Sequence, residues 1–304
     1  MITLMPCLKE AGNMENLSNI GVIKGLVSEH GFTFSKRLGQ NFLVNPTVCP
    51  RIASLGGAKK GVGVLEIGPG IGVLTNELAK LADRVVAVEI DKRLIPILER
   101  TLSEHSNVKI INEDILELDL DSVIREEFSG LEVVVCANLP YYITSPIIMT
   151  LLQKRLPIKR ITAMVQREAG IRLTAPLGSR DSGAVTVAVN YFSEARILFD
   201  VSRGSFVPSP RVDSCVVSFE PRSETPPVKN EDFFFKVVKF MFSQRRKTLL
   251  NSITQTMGFP KEMVKTAIFS FTDDLSIRPE TLRLNDIIVF SDTLYELFME
   301  ALED

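Results

Sequence analysis

Val62-Gly63-Val64-Leu65-Glu66-Ile67-Gly68-Pro69-Gly70-Ile71-Gly72-Val73-Leu74-Thr75-Asn76-Glu77-Leu78-Ala79-Lys80-Leu81 reads as a strand, a glycine turn and an amphipathic helix. The apolar run at 62–67 has the length and composition of a strand buried on both faces. Glycines at 68, 70 and 72 allow a tight turn, and from Val73 the apolar positions recur at helical spacing. Strand, glycine turn and helix open a nucleotide-binding α/β sheet. The spacing is G-x-G-x-G, whereas G-x-G-x-x-G marks a pyrophosphate site, so a ligand without phosphates fits this turn better.

Downstream the pattern continues. Arg84-Val85-Val86-Ala87-Val88-Glu89 is a second strand ending in a carboxylate, placed about 20 residues after Gly68, the separation of a group that hydrogen-bonds ribose hydroxyls. A third strand, Val108-Lys109-Ile110-Ile111-Asn112, runs into Glu113-Asp114-Ile115, where an aspartate can accept from an adenine amine. Either carboxylate alone is more often a solvated loop or helix-cap residue. Together with the glycine turn they line the carboxyl edge of a parallel sheet, the edge where ligands bind.

The run 131–137 ends at Asn138-Leu139-Pro140-Tyr141. An amide oxygen and a backbone carbonyl can each accept one N–H of an exocyclic amine, drawing the nitrogen toward a tetrahedral geometry with its lone pair freed for an electrophile. Pro140 fixes its own φ and keeps Leu139 extended, which gives the Leu139 carbonyl a defined direction. Tyr141 offers a flat face, and base–aromatic stacking is worth about 1–3 kcal/mol without selecting a base. These residue types point to methyl transfer onto a nucleobase nitrogen; an ordinary strand-to-turn exit also uses Asn and Pro.

Six segments occur in the order seen in the ribosomal RNA adenine N6,N6-dimethyltransferases: Lys36-Arg37-Leu38-Gly39-Gln40-Asn41-Phe42-Leu43, 66–72, Glu89-Ile90-Asp91, Glu113-Asp114-Ile115, 138–141 and Phe206-Val207-Pro208-Ser209-Pro210-Arg211-Val212-Asp213-Ser214. The chain resembles that family, and its bacterial small-subunit (16S) branch in particular, from about residue 30 to its end. The resemblance implies S-adenosyl-L-methionine as methyl donor, held by Gln40, Asn41, Leu43, Gly68, Gly70, Glu89, Ile90, Asp114, Ile115 and Asn138. It implies a catalytic set of Asn138, Leu139, Pro140, Tyr141 and Phe206, with Phe206 against the target base opposite Tyr141. The alternative for Phe206 is a plug that ties a Pro-rich loop to the core. The resemblance further implies two adjacent adenines near the 3′ end of the small-subunit RNA, inside an assembling particle, as substrate of a monomer.

At 304 residues the chain has room for one substantial core and a smaller domain. Its 45% apolar and 24% charged content are those of a soluble globular protein, and with no signal-type or membrane segment the expected location is cytoplasmic. Cys7, Cys49, Cys136 and Cys215 form no metal-type pair, so neither a metal site nor a disulfide framework is expected. A net charge of −2 requires any RNA-binding face to be a local concentration of cations. The candidates are Lys36, Arg37, Arg203, Arg211, Arg245, Arg246 and Lys247, whereas 154–155 and 159–160 read as solvated faces. The segment around Arg245-Arg246-Lys247 also resembles one characteristic of the 16S branch.

The expected organisation is an extension at 1–35, with Met14 a candidate start; a Rossmann-like α/β domain over 36–220; a Pro-rich linker at 221–228; and an all-helical domain over 229–304. Later strands are expected at 161–165, at Val185-Thr186-Val187-Ala188-Val189 and at 215–219, the last antiparallel by resemblance. Four other readings compete. They are a large-subunit adenine methyltransferase of the antibiotic-resistance type, a non-catalytic RNA-binding assembly or transcription factor, a DNA adenine methyltransferase and a nicotinamide oxidoreductase.

Overall fold

The computed structural model describes residues 17–31, 41–244 and 246–303. In chain order they form α1 (Ile20–Glu29), β1 (Phe42–Leu43), α2 (Val48–Leu55), β2 (Val62–Ile67), α3 (Val73–Leu81), β3 (Arg84–Val88), α4 (Ile95–Thr101), β4 (Val108–Ile111), α5 (Leu120–Glu127) and β5 (Glu132–Asn138). There follow α6 (Thr144–Gln153), β6 (Ile158–Gln166), α7 (Arg167–Thr174), α8 (Ala184–Phe192), β7 (Ser193–Val201), β8 (Phe206–Val207) and β9 (Ser214–Pro221). Four helices finish the chain: α9 (Glu231–Met241), α10 (Leu249–Met257), α11 (Lys261–Phe269) and α12 (Leu284–Glu303). The chain divides into two compact units, one of 1–140 with Val201–Arg211, the other of Tyr141–Asp200 with 212–304.

Unit one contains four parallel strands in the order β4-β3-β2-β5. All six residues of β2 are buried, as expected of a strand flanked by β3 on one side and β5 on the other. Strand order reverses at β2, because the chain steps outward through β3 and β4 and then returns to the other side at β5. The glycine turn leaving β2 therefore lies at the topological switch point, where open α/β sheets bind ligands. A two-stranded antiparallel ribbon accompanies this sheet, with Phe42 opposite Val207 and Leu43 opposite Phe206.

Unit two contains strands in the order β6-β9-β7 together with the helical C-terminal segment. β9 runs antiparallel to β6, from Ile161 opposite Phe219 to Gln166 opposite Ser214, as the resemblance implied. The expected strand at 185–189 is instead the body of helix α8, and the neighbouring strand is β7. Its β-branched alternation suits a strand by propensity, but tertiary packing overrides it. The Gly183 amide donates to Thr186 Oγ1 at 3.0 Å, closing the first turn, and Thr186 Oγ1 donates to the Arg172 carbonyl at 2.7 Å. At the other end Tyr191 and Phe192 meet Phe234 and Phe235 of α9, with Phe192 stacked on Phe235 at 5.2 Å. A strand would send those two rings to opposite faces.

Cys49, Cys136 and Cys215 are buried free thiols. Among the described residues no helix is long and apolar enough to cross a membrane.

Candidate functional site

The carboxyl ends of β2, β3, β4 and β5 bring together the residues singled out in unit one. Gly68, Gly70 and Gly72 all have left-handed φ, +70°, +63° and +89°, a conformation that costs other L-residues roughly 1 kcal/mol or more. The loop is held at both flanks. The Gly68 amide donates to the Val88 carbonyl at 3.0 Å, and a Cβ on Gly68 would stand 3.7 Å from the Asn138 carbonyl oxygen. On the other flank a Cβ on Gly70 would come within 3.3 Å of Phe42 Cε1, which puts the ribbon bearing Asn41 and Leu43 against the loop. The ribbon is fixed in turn by the Val44 amide donating to the Ser205 carbonyl at 2.8 Å and by Asn45 Nδ2 donating to Ser205 Oγ at 3.3 Å.

Glu89 follows directly on β3. Its Oε2 accepts from the Gly70 amide at 3.2 Å and its Oε1 from the Asp91 amide at 2.9 Å, so one carboxylate ties the glycine loop to the turn after β3. The side chain is only 5% exposed, and burial outweighs the backbone amide donors, raising its pKa to about 7. Asn112 Nδ2 donates to the Glu89 carbonyl at 2.6 Å and locks the backbone there. Ile90, beside this buried acid, is 51% exposed and presents an apolar surface suited to a flat ring. Asp114, half-buried, accepts from the Leu116 amide at 2.9 Å in a local turn, and Ile115 is buried beneath it.

Asn138 closes β5 half-exposed, and among the described residues its side-chain amide makes no hydrogen bond. Its donor and acceptor are thus available to a ligand. Leu139 is buried. Tyr141 opens unit two, half-buried, with its hydroxyl 2.8 Å from Ser214 Oγ. Phe206 is 3% exposed, inserted in the ribbon opposite Leu43, where the ring anchors the ribbon and offers almost no free face.

Arg203, Arg211, Arg246 and Lys247 are exposed, and among the described residues Arg211, Arg246 and Lys247 form no ion pair. By contrast Arg155 pairs with Glu231, and Arg160 with Glu220 at 3.1 Å. Gln40, Lys36, Arg37 and Arg245 lie outside the described residues.

Two further groups carry no role in the sequence reading. Glu66, on the central strand β2, is 1% exposed, and its Oε2 and the Thr75 hydroxyl are sealed from solvent without a hydrogen bond of ordinary geometry. Desolvation raises its pKa to about 8, opposed in part by Thr75. A charged residue inside a run otherwise suited to full burial was the available signal. Ser214, the partner of Tyr141, carried no such signal.

The edge suits S-adenosyl-L-methionine on chemical grounds. Carboxylates at Glu89 and Asp114 accept from hydroxyl and amine donors and repel phosphate, while the cradle of positive-φ glycines lets a ligand approach the backbone.

Residues 31–275 match the family model described as ribosomal RNA adenine dimethylase. The chain is 45% identical over 282 residues to the "Ribosomal RNA small subunit methyltransferase A" of Anoxybacillus flavithermus, covering 91% of this chain and 96% of that one. It is 44% identical over 289 residues to the protein of the same name from Geobacillus thermodenitrificans, covering 93% and 99%. Among solved structures it resembles a dimethyladenosine transferase from Plasmodium falciparum (TM-score 0.69, 25% identity, 86% of this chain and 98% of the other). It also resembles the 23S rRNA methyltransferase ErmE (TM-score 0.64, 26% identity, 84% and 100%). A match over most of the chain, with relatives 45% and 44% identical along nearly their whole length, settles the family: the chain belongs to the ribosomal RNA adenine dimethylases.

Proposed function

We propose that this protein dimethylates the exocyclic N6 of adenines in small-subunit (16S) ribosomal RNA during ribosome biogenesis, working in the cytoplasm as a monomer on an assembling particle. The observation that carries the chemistry is the unengaged Asn138 amide at the end of β5, whose backbone carbonyl lies beside Gly68. The choice of RNA follows the names of relatives more than 40% identical along nearly their whole length. The large-subunit reading finds support only in the more distant likeness to ErmE.

S-adenosyl-L-methionine, when bound, supplies an electrophilic methyl group. Glu89 would hold its ribose hydroxyls, Asp114 its adenine amine, Ile90 and Ile115 its ring, and Gly68, Gly70, Gln40, Asn41 and Leu43 the remainder. Asn138 Oδ1 and the Leu139 carbonyl accept the two N–H bonds of the target amine, localising its lone pair, and removal of such a donor–acceptor contact typically costs about 10²–10³-fold in rate. Pro140 keeps the Leu139 carbonyl oriented. The proton leaves an already alkylated, acidic nitrogen, so no residue need act as a base before attack. Tyr141 stacks on the base. Phe206 is assigned to the base by resemblance alone, and its burial supports an anchoring contribution to the ribbon.

Arg203, Arg211, Arg246 and Lys247, with Lys36, Arg37 and Arg245, would meet RNA phosphates. We assign residues 36–220 to the methyltransferase domain and 229–304 to a helical domain joined by the 221–228 linker; in its favour, the elements described from Glu231 onward are all helical, although by contacts 141–200 and 212–220 group with them.

The test is transfer of labelled methyl from S-adenosyl-L-methionine to small subunits lacking the modification, with mature subunits and DNA as controls. N6,N6-dimethyladenosine in the small-subunit RNA supports the proposal. Cofactor binding without transfer to any acceptor favours a non-catalytic assembly factor.

A further inference from the structure

The contact between Tyr141 and Ser214 joins residues 73 positions apart through side chains alone, at 2.8 Å. Ser214 is fully buried and its backbone is fixed from two directions. As the first residue of β9 it stands opposite Gln166, the last residue of β6, and the next amide, Arg167, donates to the Asp213 carbonyl at 3.0 Å. Its other neighbour, Cys215, is wedged against α7. A Cβ at Gly170 would fall 2.2 Å from Cys215 Sγ, so that helix approaches β9 as closely as an absent side chain permits. A hydroxyl on so rigid a mount gives Tyr141 a fixed point. The adjoining Tyr142 is 56% exposed and has no such tether among the described residues.

We propose that Ser214 is a positioning residue for methyl transfer: its buried hydroxyl holds the Tyr141 phenol and thereby sets the plane of the ring before the adenine arrives. The inference rests on the reading that Tyr141 stacks on the target base. A phenyl ring on two rotatable bonds loses rotamer freedom when a base lies on it, and a tether that has already restricted the ring removes part of that cost from the binding step. A neutral hydrogen bond contributes a net ~0.5–1.5 kcal/mol, which corresponds to about a 2- to 10-fold effect on a rate or affinity that depends on the ordered ring.

The two transfers depend on the tether unequally. In the first, the amine is held by two N–H bonds, to Asn138 and to the Leu139 carbonyl. Afterwards it keeps one N–H, so the monomethylated base relies more on its stacking surface. Loss of the Tyr141–Ser214 bond therefore slows the second transfer more than the first, and N6-monomethyladenosine accumulates.

The experiment compares wild type with Ser214→Ala, Tyr141→Phe, the double variant and Tyr141→Ala, using small subunits lacking the modification, with nucleoside analysis over time. Ser214→Ala and Tyr141→Phe are each expected to lower the rate of the second transfer about 2- to 10-fold, to raise the ratio of monomethyl to dimethyl product and to leave S-adenosyl-L-methionine affinity unchanged. The double variant is expected to match either single one, because both remove the same bond. Equal slowing of both transfers, or additive losses in the double variant, would overturn the proposal in favour of a purely structural serine. If Tyr141→Ala is impaired while Tyr141→Phe and Ser214→Ala behave as wild type, the tether falls and the stacking role stands. If Tyr141→Ala is itself unimpaired, the stacking role falls and the proposal with it.

Discussion

Replacing Glu66 with Gln should flatten the pH dependence of folding stability. Glu66 sits on the central strand β2, opposite Ala87 of β3 and Cys136 of β5, and is 1% exposed. Its pKa rises from 4.5 to about 8 on folding, chiefly because its charge is desolvated. Below the lower value both states carry the proton. Between the two values the unfolded chain releases it while the folded protein keeps it, so the native state binds more protons and stability falls as pH rises. Above the upper value the loss is complete, and at about 1.4 kcal/mol per tenfold in proton affinity it reaches on the order of 5 kcal/mol. That is a large fraction of the roughly 5–15 kcal/mol by which domains are stable. The Cys49 thiol shares these surroundings, and its pKa is raised first by burial and next by the charge of Glu66.

Glutamine has the same shape and no titration. It brings buried N–H groups that cost about 1–3 kcal/mol if unpaired, but that cost is the same at every pH. The readout is accordingly the slope and not the level. Urea unfolding followed by circular dichroism at intervals from pH 5 to 9 should show wild-type stability falling by several kcal/mol more than that of Glu66→Gln. Glu89 remains in both proteins and its contribution cancels to first order. Parallel curves for the two proteins would refute the argument and show that Glu66 is ionised or hydrated in the folded state.

Glu89 supplies a second titration, this time in ligand binding. With its pKa raised to about 7 and its carboxylate form favoured by hydroxyl donors, S-adenosyl-L-methionine affinity measured calorimetrically should strengthen about tenfold from pH 6 to pH 8. Glu89→Gln should bind more weakly with no such dependence, and an unchanged profile would exclude the ribose assignment. Asn138→Ala should reduce methyl transfer about 10²-fold or more while leaving the melting temperature nearly unchanged, because the half-exposed side chain makes no hydrogen bond within the described protein; retained turnover defeats its proposed role. Neutralising Arg245, Arg246 and Lys247 together should make the slope of log affinity against log salt shallower by about 2–3 in RNA-binding titrations. A slope equal to wild type would return that segment to an ordinary solvated surface.

The legible part of the site lies where short-range chemistry decides conformation. β2 and α3 have the boundaries that apolar periodicity and the glycine turn predicted, and β3, β4 and β5 fall within a residue of expectation. The acidic edge was readable only from the combination, since Glu89 and Asp114 follow successive parallel strands while either alone suits a solvated loop or cap. The run at 185–189 misled because β-branched alternation reports a pleated, half-buried surface in general, whereas its backbone was settled by Thr186 and by the rings of α9. Phe206 shows the same limit: a loop aromatic suggests exposure for use, and only its pairing opposite Leu43 reveals that the ring is enclosed.

By itself the sequence determined the α/β class, the order of the motifs, the glycine turn and which side chains bring acceptor oxygens to positions 89, 114 and 138, because periodicity, turn propensity and side-chain chemistry are local properties. Tertiary structure alone decided which acceptors are already engaged and which are free, how far Glu66 and Glu89 are desolvated, and that a serine 73 residues away holds Tyr141. Those outcomes depend on what the fold places across a few ångströms of space, where the dielectric surroundings and the supply of hydrogen-bond partners are set by residues distant in the chain.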